Sequence, residues 1–155
     1  MRRSDFLLQF STLRRTTMST GISACGVLCS ECGAYLAAAK GRAYQQEVAE
    51  AWHRIYGLSE PPENISCSGC FGSDNEIFHT SVTCTARRCC RQKGFTTCAE
   101  CPESSCALLE RAQSVWDGVP EIGRSLSKAD NERYARPYCG HRERLAGLRA
   151  KKDQS

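Results

Sequence analysis

Cys67-Ser68-Gly69-Cys70-Phe71-Gly72 is the stretch on which the reading of this chain turns. Two cysteines with two residues between them let both thiolates of one turn reach the same metal ion. The glycines let the backbone wrap closely around the pair. The same gap recurs at Cys98-x2-Cys101, which runs on to Cys106, and at Cys29-x2-Cys32, which Cys25 precedes. Cys84-x4-Cys89 is a looser pair. Ten of the twelve cysteines in 155 residues fall into these groups. Zinc takes four ligands in a tetrahedron, so eight thiolates complete two sites. The expectation is a small domain whose loops are held by two zinc ions. The two patterned thiols left over either complete a third site with His53 or His79 or stay free. Spacing does not assign cysteines to sites, but nearness in sequence favours joining Cys67 and Cys70 with Cys84 and Cys89. Cys90 and Cys139 have no partner at ligand spacing and read as free thiols.

Composition supports a metal-held fold. The chain is 41% hydrophobic, but this tally includes the cysteines, and aromatic residues make up only 8%. The mean hydropathy is −0.45. So thin an apolar share points to stability drawn partly from metal or cross-links. The formal charge is +4, of which Arg2, Arg3, Arg14 and Arg15 against Asp5 supply +3 within residues 1–17. The remainder is nearly neutral, which argues only weakly for a nucleic-acid partner. No stretch is long and apolar enough for a transmembrane helix. Arg2-Arg3 and the box Ile22-Ser23-Ala24-Cys25 imitate export signals, yet the long apolar segment such signals need is missing between them. Residues 1–20 read as a disordered extension, with Met18 a candidate start. A cytoplasmic location follows as the expectation, and a reducing compartment disfavours a disulfide framework.

Helical periodicity organises the rest. Tyr35 to Ala39 forms a short run interrupted near Gly41, and Tyr44, Val48, Ala51, Trp52 and Ile55 define the apolar face of a helix that Gly57 ends. Ser59 to Pro62 is a loop, Ser73-Asp74-Asn75 a turn, and Glu76 to Val82 a short strand or an irregular segment. Thr85 to Lys93 is a helix closed by Gly94. Pro102 suits the first position of another helix, with Cys101 as N-cap and Leu108, Leu109, Ala112, Val115 and Trp116 as its stripe, stopped at Asp117-Gly118. Pro120 to Leu126 adds a turn or two, and Arg142 to Lys151 a basic terminal helix. The fold class is therefore mainly α, a small metal-stabilised domain with cysteine knuckles in loops and little or no β structure. The division is an N-terminal extension over 1–20, a cysteine-rich metal-binding domain over 21–127, and a helical C-terminal extension with a basic tail over 128–155.

Iron–sulfur chemistry is the main rival to zinc, since thiolate-only sites suit both. Cys25-x3-Cys29-x2-Cys32 has the spacing of a radical-SAM cluster motif. Such motifs sit in barrels of roughly 200 residues or more, and too little chain follows here. Glu31 also stands where they carry an aromatic. Cys98-x2-Cys101-Pro102 is ferredoxin-like but lacks a third cysteine at the two-residue gap. A cluster of another type remains the alternative cofactor. Catalysis has thinner support. His53, His79 and His141 are candidate bases, yet no pairing with a nucleophile is implied and no catalytic motif is present. Arg87, Arg88, Arg91 and Lys93 crowd around Cys89 and can offset thiolate charge. They and Arg142, Arg144, Arg149, Lys151 and Lys152 could touch phosphate, but no aromatic interleaving accompanies them. The functional classes are a structural module that presents a surface to protein or nucleic acid, an iron–sulfur electron carrier, and a thiol enzyme or metal-handling protein.

The motifs Cys25-Gly-Val-Leu-Cys29-Ser-Glu-Cys32-Gly-Ala-Tyr35, Cys67-Ser-Gly-Cys70, Cys84-Thr-Ala-Arg-Arg-Cys89, Lys93-Gly94 and Cys98-Ala-Glu-Cys101-Pro-Glu-Ser-Ser-Cys106 together resemble a family. It is a cysteine-rich bacterial and archaeal domain of unknown function. The order and gaps agree over roughly residues 24–116, about three-fifths of the chain. Members tend to begin just before the first cysteine, in keeping with Met18 as a start. Ser104-Ser105 departs from the Phe-Pro pair that often precedes the last cysteine. The resemblance implies a metal-binding role for the ten patterned cysteines and no particular reaction.

Overall fold

The computed structural model describes residues 21–103 and 105–155, so the expected N-terminal extension lies outside the described residues. Helix dominates, and no strand occurs among the described residues, as the sequence periodicity leads one to expect. Helix α1 (Gly33–Lys40) meets α2 (Arg42–Tyr56) across Gly41. Val48 and Trp52 of α2 are buried against Gly33, Ala34 and Ala37 of α1. Helix α2 ends at Gly57 and α3 (Thr85–Lys93) at Gly94, both in the left-handed conformation at φ 69° and 71°. Between α2 and α3 runs a long irregular segment carrying the Cys67–Gly72 turn. Its stretch from Glu76 to Val82 contains a 3-10 turn, His79–Ser81, rather than a strand. Helices α4 (Ala107–Ser114) and α5 (Val119–Arg124) follow. The chain then coils through α6 (Lys128–Asp130), a π turn at Asn131–Ala135 and a 3-10 turn at Arg136–Tyr138 before α7 (His141–Asp153).

The helix expected to begin at Pro102 begins instead at Ala107, with Cys106 at its N-cap. Two local effects explain the shift. Thr97 and Glu100 make a capping box that starts a 3-10 turn at Cys98–Glu100: the Thr97 side chain accepts the Ala99 N–H at 3.2 Å and the Glu100 carboxylate accepts the Thr97 N–H at 3.3 Å. Cys101 then precedes a proline, which disfavours helical backbone, and it is extended at ψ 134°.

The core is made of small side chains. Of the twenty residues in its main cluster nine are alanine and three are cysteine, with Val48, Ile65, Trp52, Tyr134, Tyr138 and Leu145 supplying most of the bulk. Buried alanines remove little apolar area from water, so this core gains less from burial than one built of leucine and phenylalanine. Two aromatic contacts add to it: Trp116 stacks on Tyr138 at 4.9 Å between ring centroids, and Trp52 meets Phe78 edge-on at 5.5 Å. Tyr134, Ala135, Tyr138 and Leu145 belong to the same cluster as the cysteine-rich part, so the packing runs across the 127/128 boundary without a break.

Gly26, inside the first cysteine turn, shows how closely the C-terminal segment is seated. Its φ is +103°, and a Cβ there would run into the carbonyl oxygen of His141. Gly147 on α7 has open space at the corresponding position. Gly26→Ala is expected to remove about 3 kcal/mol or more of stability, because strain and a backbone clash combine. Gly147→Ala is expected to add about 0.5–1 kcal/mol through helix propensity. Urea denaturation of the two variants beside the parent protein checks both signs.

Candidate metal centre

All twelve cysteines carry free thiols. Two neighbourhoods gather most of them. The first takes Cys25, Cys29 and Cys32 from the turn before α1, Cys67 and Cys70 from the knuckle, and Cys84 from the N-cap of α3. They lie near enough that the charge of neighbouring thiols helps to raise Cys25, Cys29, Cys67 and Cys84. Cys70 is the hub. Cys29 hydrogen-bonds it, and it also acts on Cys25, Cys67 and Cys84. The second neighbourhood is a cavity of about 180 Å³ lined by Cys89 and Cys90 of α3, Cys98, Cys101 and Cys106, with Lys93 and Arg149 among the other lining residues. Cys139 stands apart from both, beside Arg144 and Tyr56.

The pairing favoured by nearness in sequence is thus divided. Cys84 does sit with Cys70, but the helical turn of α3 carries Cys89 round to the cavity with Cys101 and Cys106. The histidines are elsewhere. His53 is exposed and bonds Ser59 at 3.3 Å, His79 pairs with Glu60, and His141 is buried with its Nδ1 3.1 Å from the Tyr138 carbonyl.

The first turn is held from distant parts of the chain. The Leu28 N–H donates to the Pro137 carbonyl at 2.9 Å, and the Cys98 N–H to the Ala24 carbonyl at 2.9 Å. The Gln113 amide donates to the Cys25 carbonyl at 2.9 Å and Arg144 to the Gly26 carbonyl at 3.1 Å. Side-chain hydroxyls reach the sulfurs as well: Ser23 Oγ is 3.3 Å from Cys25 Sγ, and Tyr138 Oη 3.3 Å from Cys32 Sγ. The knuckle is fixed by Arg87, whose side chain is only 2% exposed. Its Nε donates to the Cys70 carbonyl at 2.8 Å, and its Nη2 to the Gly72 carbonyl at 2.9 Å and to Asp74 at 2.8 Å.

Burial decides the protonation of most of these thiols. It pushes Cys25 up to about 11, and raises Cys67 and Cys84 as well, because a low-dielectric site disfavours the thiolate. Cys29 is raised chiefly because its proton is shared with Cys70. The same bond brings Cys70 down to about 7 against its burial, with help from an Ala24 backbone hydrogen bond and the Arg87 charge. Cys98 is raised, first by its hydrogen bond with Cys90 and then by burial.

Soft thiolate donors suit zinc or an iron–sulfur cluster. Zinc–sulfur bonds of about 2.3 Å set the edge of a tetrahedral thiolate site at about 3.8 Å. The Cys90 and Cys98 sulfurs are closer than that edge, at 3.5 Å, and Cys90 lies outside the patterned set. Among the described residues no three Cys, His, Asp or Glu side chains are drawn up into a group able to hold an ion as they stand. The donors thus fit in kind and neighbourhood, and the close approaches come in pairs.

Four residues at these sites are not singled out by spacing alone. Arg87 was grouped with the cations around Cys89, yet it serves the Cys70 knuckle. Lys93 is the cation that reaches the second set, its Nζ 3.9 Å from Cys101 Sγ. Cys90 lies one helical turn beyond the buried Ala86 on α3, and that i, i+4 relation is the signal that placed it inside. Tyr138 had no local signal, since its partner Cys32 is 106 residues away.

The chain belongs to the family described as "Protein of unknown function (DUF3795)", whose model matches residues 21–111. No curated protein and no solved structure matches the chain. The family match ends before the Tyr134–Leu145 segment that completes the core.

Arg87 gives a test of this geometry. Arg87→Met leaves the Cys70 carbonyl without its donor and the Gly72 carbonyl with Arg91 alone, and is expected to destabilise the protein by about 2–4 kcal/mol. Asp74→Asn removes only the exposed end of the same contact and is expected to change stability by about 1 kcal/mol or less. Denaturation midpoints of the two variants give the comparison.

Proposed function

We propose that this member of the family is a thiolate metal-binding module, with two zinc ions pinning its loops and a structural or interaction role for the pinned surface. The observation that carries this reading is the gathering of four sequence-distant cysteine groups into two neighbourhoods, around a core in which nine of twenty residues are alanine. Cys25, Cys29, Cys70 and Cys84, with Cys32 and Cys67 beside them, are the residues that would hold the first ion. Cys89, Cys98, Cys101 and Cys106 would hold the second. Bound there, the metal supplies cross-links between loops that a small apolar core cannot supply. Arg87 beside the first set, and Lys93 and Arg149 beside the second, offset the negative charge of clustered thiolates.

No helix among the described residues is long and apolar enough to cross a membrane. A protein is favoured over a nucleic acid as partner. Arg142 bonds Glu110, Gln113 and Asp117, while Arg144, Arg149 and Lys152 donate to backbone carbonyls, so much of the basic terminal helix is engaged within the fold. Leu108 and Val115, on α4 and at its C-cap, are by contrast 45% and 71% exposed. Free thiols at ligand spacing suit a reducing compartment such as the cytoplasm.

The cavity beside Cys89 and Cys106 favours one further reading, since about 180 Å³ is more space than a single ion needs. An iron–sulfur cluster in the second set would make the protein an electron carrier. Metal analysis of anaerobically purified protein separates the two readings. Zinc at about two ions per chain in a colourless protein is expected. Stoichiometric iron with visible absorbance would replace zinc by a cluster. Cys101→Ser combined with Cys106→Ser is expected to lower zinc to about one ion per chain. Chelation is expected to abolish cooperative unfolding.

A further inference from the structure

Cys90 is not one of the ten patterned thiols, yet its Sγ lies 3.5 Å from that of Cys98. Both residues are buried, at 2% and 8% exposure. Regular local structure fixes each. Cys90 is on the inner side of α3, and its carbonyl accepts the Phe95 N–H at 2.9 Å across the Gly94 turn. Cys98 opens the 3-10 turn capped by Thr97 and Glu100. A disulfide requires an S–S distance of about 2.0 Å, so the sulfurs must close by about 1.5 Å.

Both thiols also line the cavity of about 180 Å³, together with Lys93 and Arg149. Hydrogen peroxide is little larger than water, whose share of liquid volume is about 30 Å³, so the cavity admits it. A buried pair at this distance, facing a cavity that admits peroxide, has the parts of a redox-sensitive site.

We infer that Cys90 and Cys98 form a peroxide-sensitive dithiol, whose oxidation to a disulfide withdraws Cys98 from the second thiol set. One thiolate attacks a peroxide oxygen, the O–O bond breaks, and that sulfur becomes a sulfenic acid as hydroxide leaves. The other sulfur then attacks it, forming the S–S bond and releasing the second oxygen. Two thiols and one peroxide thus give one disulfide and two waters, with both sulfurs oxidised by one electron each and the peroxide reduced by two. Where Cys98 starts as a thiolate, one of the waters leaves as hydroxide. Disulfide formation stands by itself. The consequence for metal rests on the reading of the second set as a zinc site. Cys90 is then the resolving thiol, and metal loading of that set follows the redox state around the protein.

The test treats the purified full-length protein with a stoichiometric amount of hydrogen peroxide. The disulfide that appears first is mapped by mass spectrometry, and released zinc is followed with a chromogenic chelator. The expected first product is the Cys90–Cys98 disulfide, formed together with loss of zinc from the second set. Cys90→Ser and Cys90→Ala, both checked for native circular dichroism, are expected to hold as much zinc as the parent protein. They are expected to release it at least about tenfold more slowly, because the intramolecular partner is gone. A different first disulfide, sulfinic acid without a disulfide, or unchanged release in both variants overturns the inference. Loss of one zinc from the untreated variants also overturns it, because Cys90 would then be a ligand. A parent protein that contains no zinc but still forms the Cys90–Cys98 bond upholds the dithiol and sinks the zinc reading instead.

Discussion

A guanidinium group out of contact with water is the constraint around which this protein is arranged. Arg87 is the largest fully buried side chain, and it gives its hydrogen bonds to the carbonyls of Cys70 and Gly72 and to Asp74. A buried cation is tolerable only where hydrogen-bond acceptors meet it. The Cys67–Gly72 turn supplies the acceptors, so the position of Arg87 and the shape of the knuckle determine one another. Through α3 the same residue links the two thiol neighbourhoods. Cys84 caps the start of that helix beside the first, and Cys89 and Cys90 carry it along the second.

The helices were legible in the sequence where an apolar stripe and a terminating glycine coincided. That holds for α2 ending at Gly57 and α3 ending at Gly94. The start of α4 was misread because Pro102 resembles a first helical position, whereas the Thr97–Glu100 capping box had already committed the chain to a separate turn. The coil from Lys128 to Tyr138 had no readable signal. Its π and 3-10 geometry follows neither helical nor strand period, and Tyr134 and Tyr138 are inside because of partners far away in sequence. The thiol spacings identified which cysteines share a turn. They were silent on which turns meet, since that depends on the rotation of α3 and on the path of the C-terminal segment.

The thiols themselves resist being anions. Cys25, Cys67 and Cys84 are held above the ordinary thiol range by burial, and Cys29 by sharing its proton. Bringing six thiols together without a positive centre is therefore unfavourable in any state that ionises them. Arg87 relieves this only near Cys70. A cation among the sulfurs would reverse the sign of that electrostatic balance.

The anchoring of the Cys25–Cys32 turn has a consequence for how the chain is made. The long-range anchors of that turn come from later in the sequence: Cys98, Gln113, Pro137 and Arg144. During synthesis the first three cysteines emerge early and must wait, uncovered, until most of the chain has followed. Closing so long a loop is entropically demanding and slow compared with forming the helices. The nascent protein thus passes through a period in which the thiols of this turn are accessible and without their native neighbours, and α7, whose Arg144 stands 118 residues beyond Gly26, is one of the elements that lock them in.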